Sequence, residues 1–205
     1  MGTATTALTV LDWRRRVTAL YARVRAAPEP RLGHRVWVEG RDELFATHPA
    51  SPLLPADRAT FTGLALAPYD PGLRFEVEVV PAEPERRDVV TGTDGTVGFD
   101  RIGRVELPGL GHLDVWWLAQ YGGGIFLPLK DPGPGYGGGR YVLDTVKGAD
   151  LGAGEAGGAL VVDLNFAYAP SCAYDPEWAC PLPPVGNTVT TAVEAGELAF
   201  VGVAT

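Results

Sequence analysis

Leu73-Arg74-Phe75-Glu76-Val77-Glu78-Val79 is the stretch that decides the fold. Apolar and charged residues alternate strictly along it. Side chains of an extended strand point to opposite faces in turn, so the stretch predicts a half-buried β-strand. Upstream the apolar period is helical. Trp13, Val17, Leu20, Tyr21 and Val24 recur at helical spacing and predict an amphipathic helix from about Leu11 to Ala27. Pro28 and Pro30 end it. A second helix is predicted from about His34 to Thr47, with Trp37, Leu44 and Phe45 buried and Arg41, Asp42 and Glu43 facing water. His48-Pro49 stops it, because a residue before proline is pushed out of helical geometry.

Downstream of Val79 short strands succeed one another. Val89–Thr93 and Thr96–Phe99 flank Asp94-Gly95, a hairpin signal that rests on positive φ in the turn. Val105–Leu107 and Leu113–Leu118 flank Pro108-Gly109-Leu110-Gly111 and predict another hairpin. Further strands are predicted at Ile125–Leu127, Tyr141–Val146, Leu160–Tyr168, Thr188–Val193 and Leu198–Val203, each bounded by Gly or Pro. Pro81–Glu85 is the least structured part. About nine strands come after two helices, and no helix-length segment separates the later ones, which argues against a parallel doubly wound sheet. The expected fold is α+β, mainly β. Two N-terminal helices (about 10–48) pack on an antiparallel barrel-like or sandwich sheet (about 60–205), in a single domain spanning 1–205.

The bulk composition excludes several function classes. A formal charge of -8 argues against nucleic acid, which needs a basic surface. Arg14-Arg15-Arg16 reads as a solvated helix face. No apolar run reaches the ~20 residues that span a bilayer, and the opening lacks the order of a signal peptide. A cytoplasmic location is expected, where cysteines are more often thiols than disulfides.

Tests for familiar chemistry fail. Gly133-Pro134-Gly135-Tyr136-Gly137-Gly138-Gly139-Arg140 lacks the Lys-Ser/Thr pair of a phosphate loop and runs into a strand instead of a helix. It reads as a hairpin connection. Cys172 and Cys180 are spaced too widely for a typical zinc pair, and His34, His48 and His112 are scattered, so Cys172 and Cys180 form only a weak metal alternative. No base lies near either cysteine, and the chain has only Ser51 and Ser171, which speaks against nucleophilic triads. No organic cofactor is expected.

Two stretches concentrate polar and aromatic residues. If Leu160–Tyr168 is one strand, Asp163 and Asn165 share a face, and Asp144 with Lys147 adds to that side. A solvent face and a polar cluster in a barrel mouth both fit this pattern. Asn165–Asn187 holds both cysteines, two of the 7 tyrosines, one of the 5 tryptophans and five of the 18 prolines. It reads as a rigid lid pinned by Pro, Tyr and Trp. Asp163 and Asp175 are the candidate acid/base residues. Asp144, Lys147, Asn165, Tyr168, Tyr174, Trp178 and Asn187 are the candidate ligand contacts.

Thr47–Leu53 (THPASPL), Gly137–Gly152 (GGGRYVLDTVKGADLG) and Asn165–Pro184 (NFAYAPSCAYDPEWACPLPP) together resemble the bacterial family called domain of unknown function 1684. The Ala-, Gly- and Arg-rich composition suggests an actinobacterial source. The resemblance implies a single-domain soluble protein and no particular activity. The chain departs from the family pattern at Leu129-Lys130-Asp131, where Phe-Arg-Asp is usual, at Ala169 for Asn, at Glu177 for Arg, and at Gly186-Asn187-Thr188 for Glu-Asn-Arg. These departures imply a divergent member with a changed ligand. Two functions stay open. One is a small-molecule site in the sheet's mouth under the Asn165–Asn187 loop, with or without cofactor-free acid/base chemistry of hydrolase, isomerase or cyclase type. The other is a non-catalytic interaction or structural module with a filled barrel. The first needs a concave pocket with Asp144, Asp163, Asn165 or Asp175 aimed into it.

Overall fold

The computed structural model describes residues 3–91, 95–154 and 157–202. Helix α1 spans Ala4–Arg25, longer at its start than the apolar stripe suggests, because the Thr3 hydroxyl accepts from Thr6 N–H at 3.2 Å and caps it. Helix α2 spans Pro30–Thr47, with proline in its first turn, where no N–H is needed. The two form a hairpin that buries Leu20, Tyr21 and Val24 against Trp37 and Leu44. Gly40 sits at the crossing. A Cβ there would lie 2.5 Å from Leu20 Cδ1, so only glycine lets the helices approach this closely. A short helix, α3 (Pro55–Thr60), was not signalled by periodicity.

Strands β2 (Arg86–Thr91), β3 (Gly95–Leu107), β4 (Gly111–Leu118), β5 (Ile125–Leu129) and β6 (Arg140–Asp144) form an antiparallel meander in chain order. The deciding stretch becomes β1 (Arg74–Glu78), paired antiparallel with β7 (Ala159–Asp163), Arg74 opposite Asp163. Both expected hairpins form. Thr91 faces Gly95 across the first turn, whose Asp94 lies outside the described residues. The glycine-rich 130–139 segment joins β5 to β6, as a strand connection should.

The fold is therefore α+β, with helix and strand contributing comparably instead of β predominating. The sheets do not close into a barrel. Single bridges span the gaps, Val80 to Arg104 on one side and Tyr141 to Tyr168 on the other. At the first, β3 bulges at Gly103, where an added Cβ would lie 2.5 Å from the Val80 carbonyl. At the second, β7 has already ended. The expected strand Leu160–Tyr168 stops at Asp163, whose carboxylate captures the Asn165 N–H at 3.0 Å and turns the chain into a 3-10 turn, Leu164–Phe166.

Seven strands are present among the described residues, against about nine expected. Thr188–Val193 makes one parallel bridge to Lys130, and the described part of Leu198–Val203 makes no strand. Side chains replace the ladder there. Asp131 Oδ1 accepts from Val193 N–H at 2.9 Å, and the Arg140 guanidinium donates to the carbonyls of Val193, Ala195 and Glu197. The interior is filled. Trp37, Val105, Leu113, Val115, Leu127, Leu129, Val142, Val162, Leu164 and Phe166 pack there with almost no exposure. Among the described residues no hollow barrel mouth opens between the sheets for a ligand to enter.

Candidate functional site

Strand β6 ends at Asp144, and its carboxylate organises the turn beyond it. Asp144 Oδ1 accepts from Lys147 N–H at 3.3 Å, capping the 3-10 turn Thr145–Lys147, which Gly148 terminates at φ +91°. That turn brings the Lys147 ammonium to 3.5 Å from Asp144 Oδ2. The pair borders a groove of about 350 Å³. Its apolar wall comes from the meander: Val97, Phe99, Leu118 and Phe126. The Phe99 and Phe126 rings lie 5.3 Å apart. Arg14 of α1, expected on a solvated face, reaches the rim. Tyr121 stands fully exposed at the other edge. It is carried by Gly122-Gly123-Gly124, all at positive φ, and a Cβ on Gly123 would lie 2.4 Å from the Trp117 ring.

A smaller hollow continues the groove, sharing Phe99, Phe126 and Pro181 and adding Trp116, Leu182 and Arg87. The Asn165–Asn187 loop thus reaches the site through Pro181, Leu182 and Pro184. Tyr141 fixes that end by donating its hydroxyl to the Pro181 carbonyl at 2.7 Å. Its ring stacks edge-on against Phe126 and Tyr168. Tyr174 anchors the loop's middle, 5.0 Å from Phe45 and 5.2 Å from Phe200. Trp178 does not pin the loop, being partly exposed, and Asp175 caps the Glu177 N–H at 3.0 Å in a surface turn.

Cys172 and Cys180 are unbonded, half-buried thiols. Burial, with Cys180 alongside, pushes the Cys172 thiol up to about 11. That makes it a poor nucleophile near neutrality. Among the described residues no group of three or more His, Cys, Asp or Glu is placed to hold a metal ion.

Asp163 lies elsewhere. It lines a cavity of about 420 Å³ between the α1–α2 turn and the β1–β7 pair, with Arg25, Arg74 and Glu76. Its carboxylate is heavily engaged: Asn165 Nδ2 donates at 2.7 Å, Asn165 N–H at 3.0 Å, and the Tyr69 hydroxyl at 3.4 Å. Burial nevertheless raises its pKa, against the lowering effect of those bonds. Asn165 also clamps Asp70 through both backbone groups at 2.8 Å and accepts at its carbonyl from His34 at 3.1 Å. Burial lowers the pKa of His34, so its imidazole is neutral and donates through Nε2. The expected single cluster is thus split: Asp144 and Lys147 line one cavity, Asp163 another, and Asn165 is buried and lines neither.

Asn187 is a clamp inside the sheet. It accepts from Trp116 Nε1 at 2.8 Å and donates to the carbonyls of Asp114 and Pro128 at 2.8 and 2.9 Å. Tyr168 lies under the Arg41 guanidinium, which also stacks over Trp37 and Phe45, within 5.2 Å of each ring centroid. Arg41 was expected in water. Instead it donates to Glu197 Oε2 at 2.6 Å, and Glu197 is only 1% exposed. Among the described residues Glu197 Oε1 and Arg41 Nε meet no partner at hydrogen-bond geometry. Arg140, fully buried, pairs with Asp131 at 2.8 Å. Asp42, also expected in water, accepts from Leu64 N–H. No sequence signal marked Glu197. Arg140 was visible only as the charged residue inside GGGRYVLD.

None of the substituted positions Leu129, Lys130, Ala169, Glu177, Gly186 and Thr188 lines these cavities. Ala169 packs in a small core with Phe45, Leu53 and Tyr174.

Known proteins resemble this chain in both sequence and structure. The model of the family described as "Protein of unknown function (DUF1684)" matches residues 59–198. Curated proteins offer no match. A solved structure, the solution NMR structure of an uncharacterized protein from gene locus rrnAC0354 of Haloarcula marismortui, is similar at 33% identity with a TM-score of 0.56. The alignment covers 80% of this chain and 91% of that one. Its source is an archaeon, so the likeness reaches beyond the bacterial origin expected from sequence.

Proposed function

The chain belongs to the DUF1684 family of proteins of unknown function, and from that premise we propose that it binds a small molecule in the groove beside Asp144 and Lys147. One observation carries this reading: a concave site of about 350 Å³ is lined by both charged side chains and an apolar, partly aromatic surface. Small-molecule sites have this composition, an apolar surface with a few converging polar groups, and begin at about 300 Å³. The Asn165–Asn187 loop supplies Pro181 to the groove's edge, so the loop borders the ligand but does not cover a barrel. The test is a fragment screen by NMR with amide shifts mapped onto the chain. Binding is expected to move the amides of Phe99, Phe126 and Lys147 together. Hits that shift other regions and leave these still would defeat the proposal.

A second reading rests on Asp163, whose raised pKa and place in the larger cavity suit an acid/base group. It requires a hydrolase or isomerase activity that Asp163→Asn abolishes while the variant keeps its near-UV circular dichroism. Activity retained in that variant would remove Asp163 from the chemistry.

A further inference from the structure

The groove's charges differ in accessibility, and that difference specifies what it takes. Among the described residues three acidic or basic side chains line it: Arg14, Lys147 and Asp144. The Asp144 side chain is 4% exposed, whereas that of Lys147 is 45% exposed. The carboxylate accepts from the turn beneath it through the Lys147 N–H at 3.3 Å. Arg14 is exposed and has no ion pair among the described residues. An entering molecule therefore meets an ammonium and a free guanidinium before it meets a carboxylate. Two cations against one anion leave a local positive excess on a protein of formal charge -8. The same groove is lined by Phe99 and Phe126, whose rings are inclined at 45° to each other, and the aromatic surface continues to Trp116 and Leu182.

Resting on the reading above, we infer that the ligand is a small organic anion with a flat apolar body, an aromatic acid by class. Its acidic group lies between Lys147 and Arg14, where charge-assisted hydrogen bonds are available. Its ring lies on Phe99 and Phe126, where aromatic pairs gain from offset or edge contact. An organic cation is disfavoured, because Asp144 is already matched by Lys147 and its side chain is only 4% exposed. Tyr121, on its run of three glycines, is placed to cover the exposed side of the ring.

The test compares two fluorescent probes of similar shape, anionic anilinonaphthalene sulfonate and neutral phenylnaphthylamine, with phenyltrimethylammonium as a cationic competitor. The anionic probe is expected to bind the native protein one to one, and its affinity to fall with added salt. In Arg14→Gln and Lys147→Gln its affinity should drop by about tenfold, the order of one charge-assisted contact, with phenylnaphthylamine affinity unchanged. Both substitutions lie on exposed side chains, and unchanged near-UV circular dichroism confirms the fold. If the neutral probe binds as tightly as the anionic one and the variants make no difference, the ligand class is wrong while groove binding stands. If the cation displaces the anionic probe from its site, the class is wrong in sign. If no probe binds the wild type, both the ligand class and the proposed groove fall.

Discussion

Replacing Asn187 by Leu tests whether this residue, a candidate ligand contact in the sequence, is instead a structural clamp. Its side chain is wholly buried and makes three hydrogen bonds, none to a mobile group. Leucine keeps the volume and removes all three. The Trp116 Nε1–H then has no acceptor in a dry site, at a cost of about 2 kcal/mol. The Asp114 and Pro128 carbonyls each lose one donor, at about 1 kcal/mol apiece. The expected loss is about 4 kcal/mol, a large share of the roughly 5–15 kcal/mol that holds a domain together. For a chain of this size that lowers Tm by roughly 8–16 °C. Urea unfolding followed by tryptophan fluorescence measures it, with a blue or red shift of Trp116 emission as a local report. Asn187→Asp sharpens the result. Its carboxylate can still accept from Trp116 but faces two carbonyl oxygens, so its pKa must rise. Stability of that variant is then best at low pH and falls as pH rises through the raised pKa. A loss below ~1 kcal/mol for Asn187→Leu, with an Asp variant indifferent to pH, would refute the clamp.

The same geometry gives three further expected outcomes. Arg41→Met leaves the Glu197 carboxylate buried without its partner and should cost about 3–5 kcal/mol, whereas Glu197→Gln keeps an acceptor for Arg41 and should cost less; equal or inverted losses in chemical denaturation would contradict the pairing. Burial raises the folded pKa of Asp163 above 3.8, so the stabilising contribution of its protonated form is present below that value and lost as pH rises through the folded pKa. The stability of wild type relative to Asp163→Asn should therefore fall across that acidic window, and a difference that is flat or grows with pH in urea titrations would count against it. Gly123→Ala forces a Cβ into the Trp117 ring at φ +47° and should cost about 1–3 kcal/mol while altering Trp117 fluorescence; a neutral substitution would show that the glycine run is not required.

Local pattern told correctly wherever one element's own residues decide its state. β1 was legible because its alternation needs only a buried side and a wet side, and the β3–β4 hairpin because Pro-Gly chemistry bends any chain. Asp144 and Lys147 were legible as a pair for the same reason: three residues apart across a strand end, they meet in one turn. The readings that failed depended on distant partners. Arg41 reads as a solvated helix residue until Glu197, 156 positions away, is brought beside it. Thr188–Val193 has strand composition, but Asp131 and Arg140 take the backbone groups a neighbouring strand would have used. Asp163 and Asn165 were correctly taken as neighbours for the wrong reason, since a capped turn joins them and strand alternation does not. That error is why the site looked like one cluster. Phe99 and Phe126, the groove's floor, carried no polar signal at all and are visible only once β3 and β5 face the same hollow.

One departure from the family pattern has a packing counterpart in this chain. Gly186 stands where the pattern places Glu, and a Cβ on Gly186 would lie 2.1 Å from Asp114 Oδ2. No larger residue fits while Asp114 is there. Asp114, 1% exposed, accepts from Arg101 at 2.8 Å and Arg104 at 3.0 Å. A buried carboxylate bridging two arginines is thus supplied by β4 at the very spot where a carboxylate from the loop would point. A pair of partly buried guanidinium groups needs such a partner, and Asp114 provides it without any help from position 186. Gly186 lies outside the groove of Asp144 and Lys147, so a ligand in that groove is read from the residues that face it and not from this substitution.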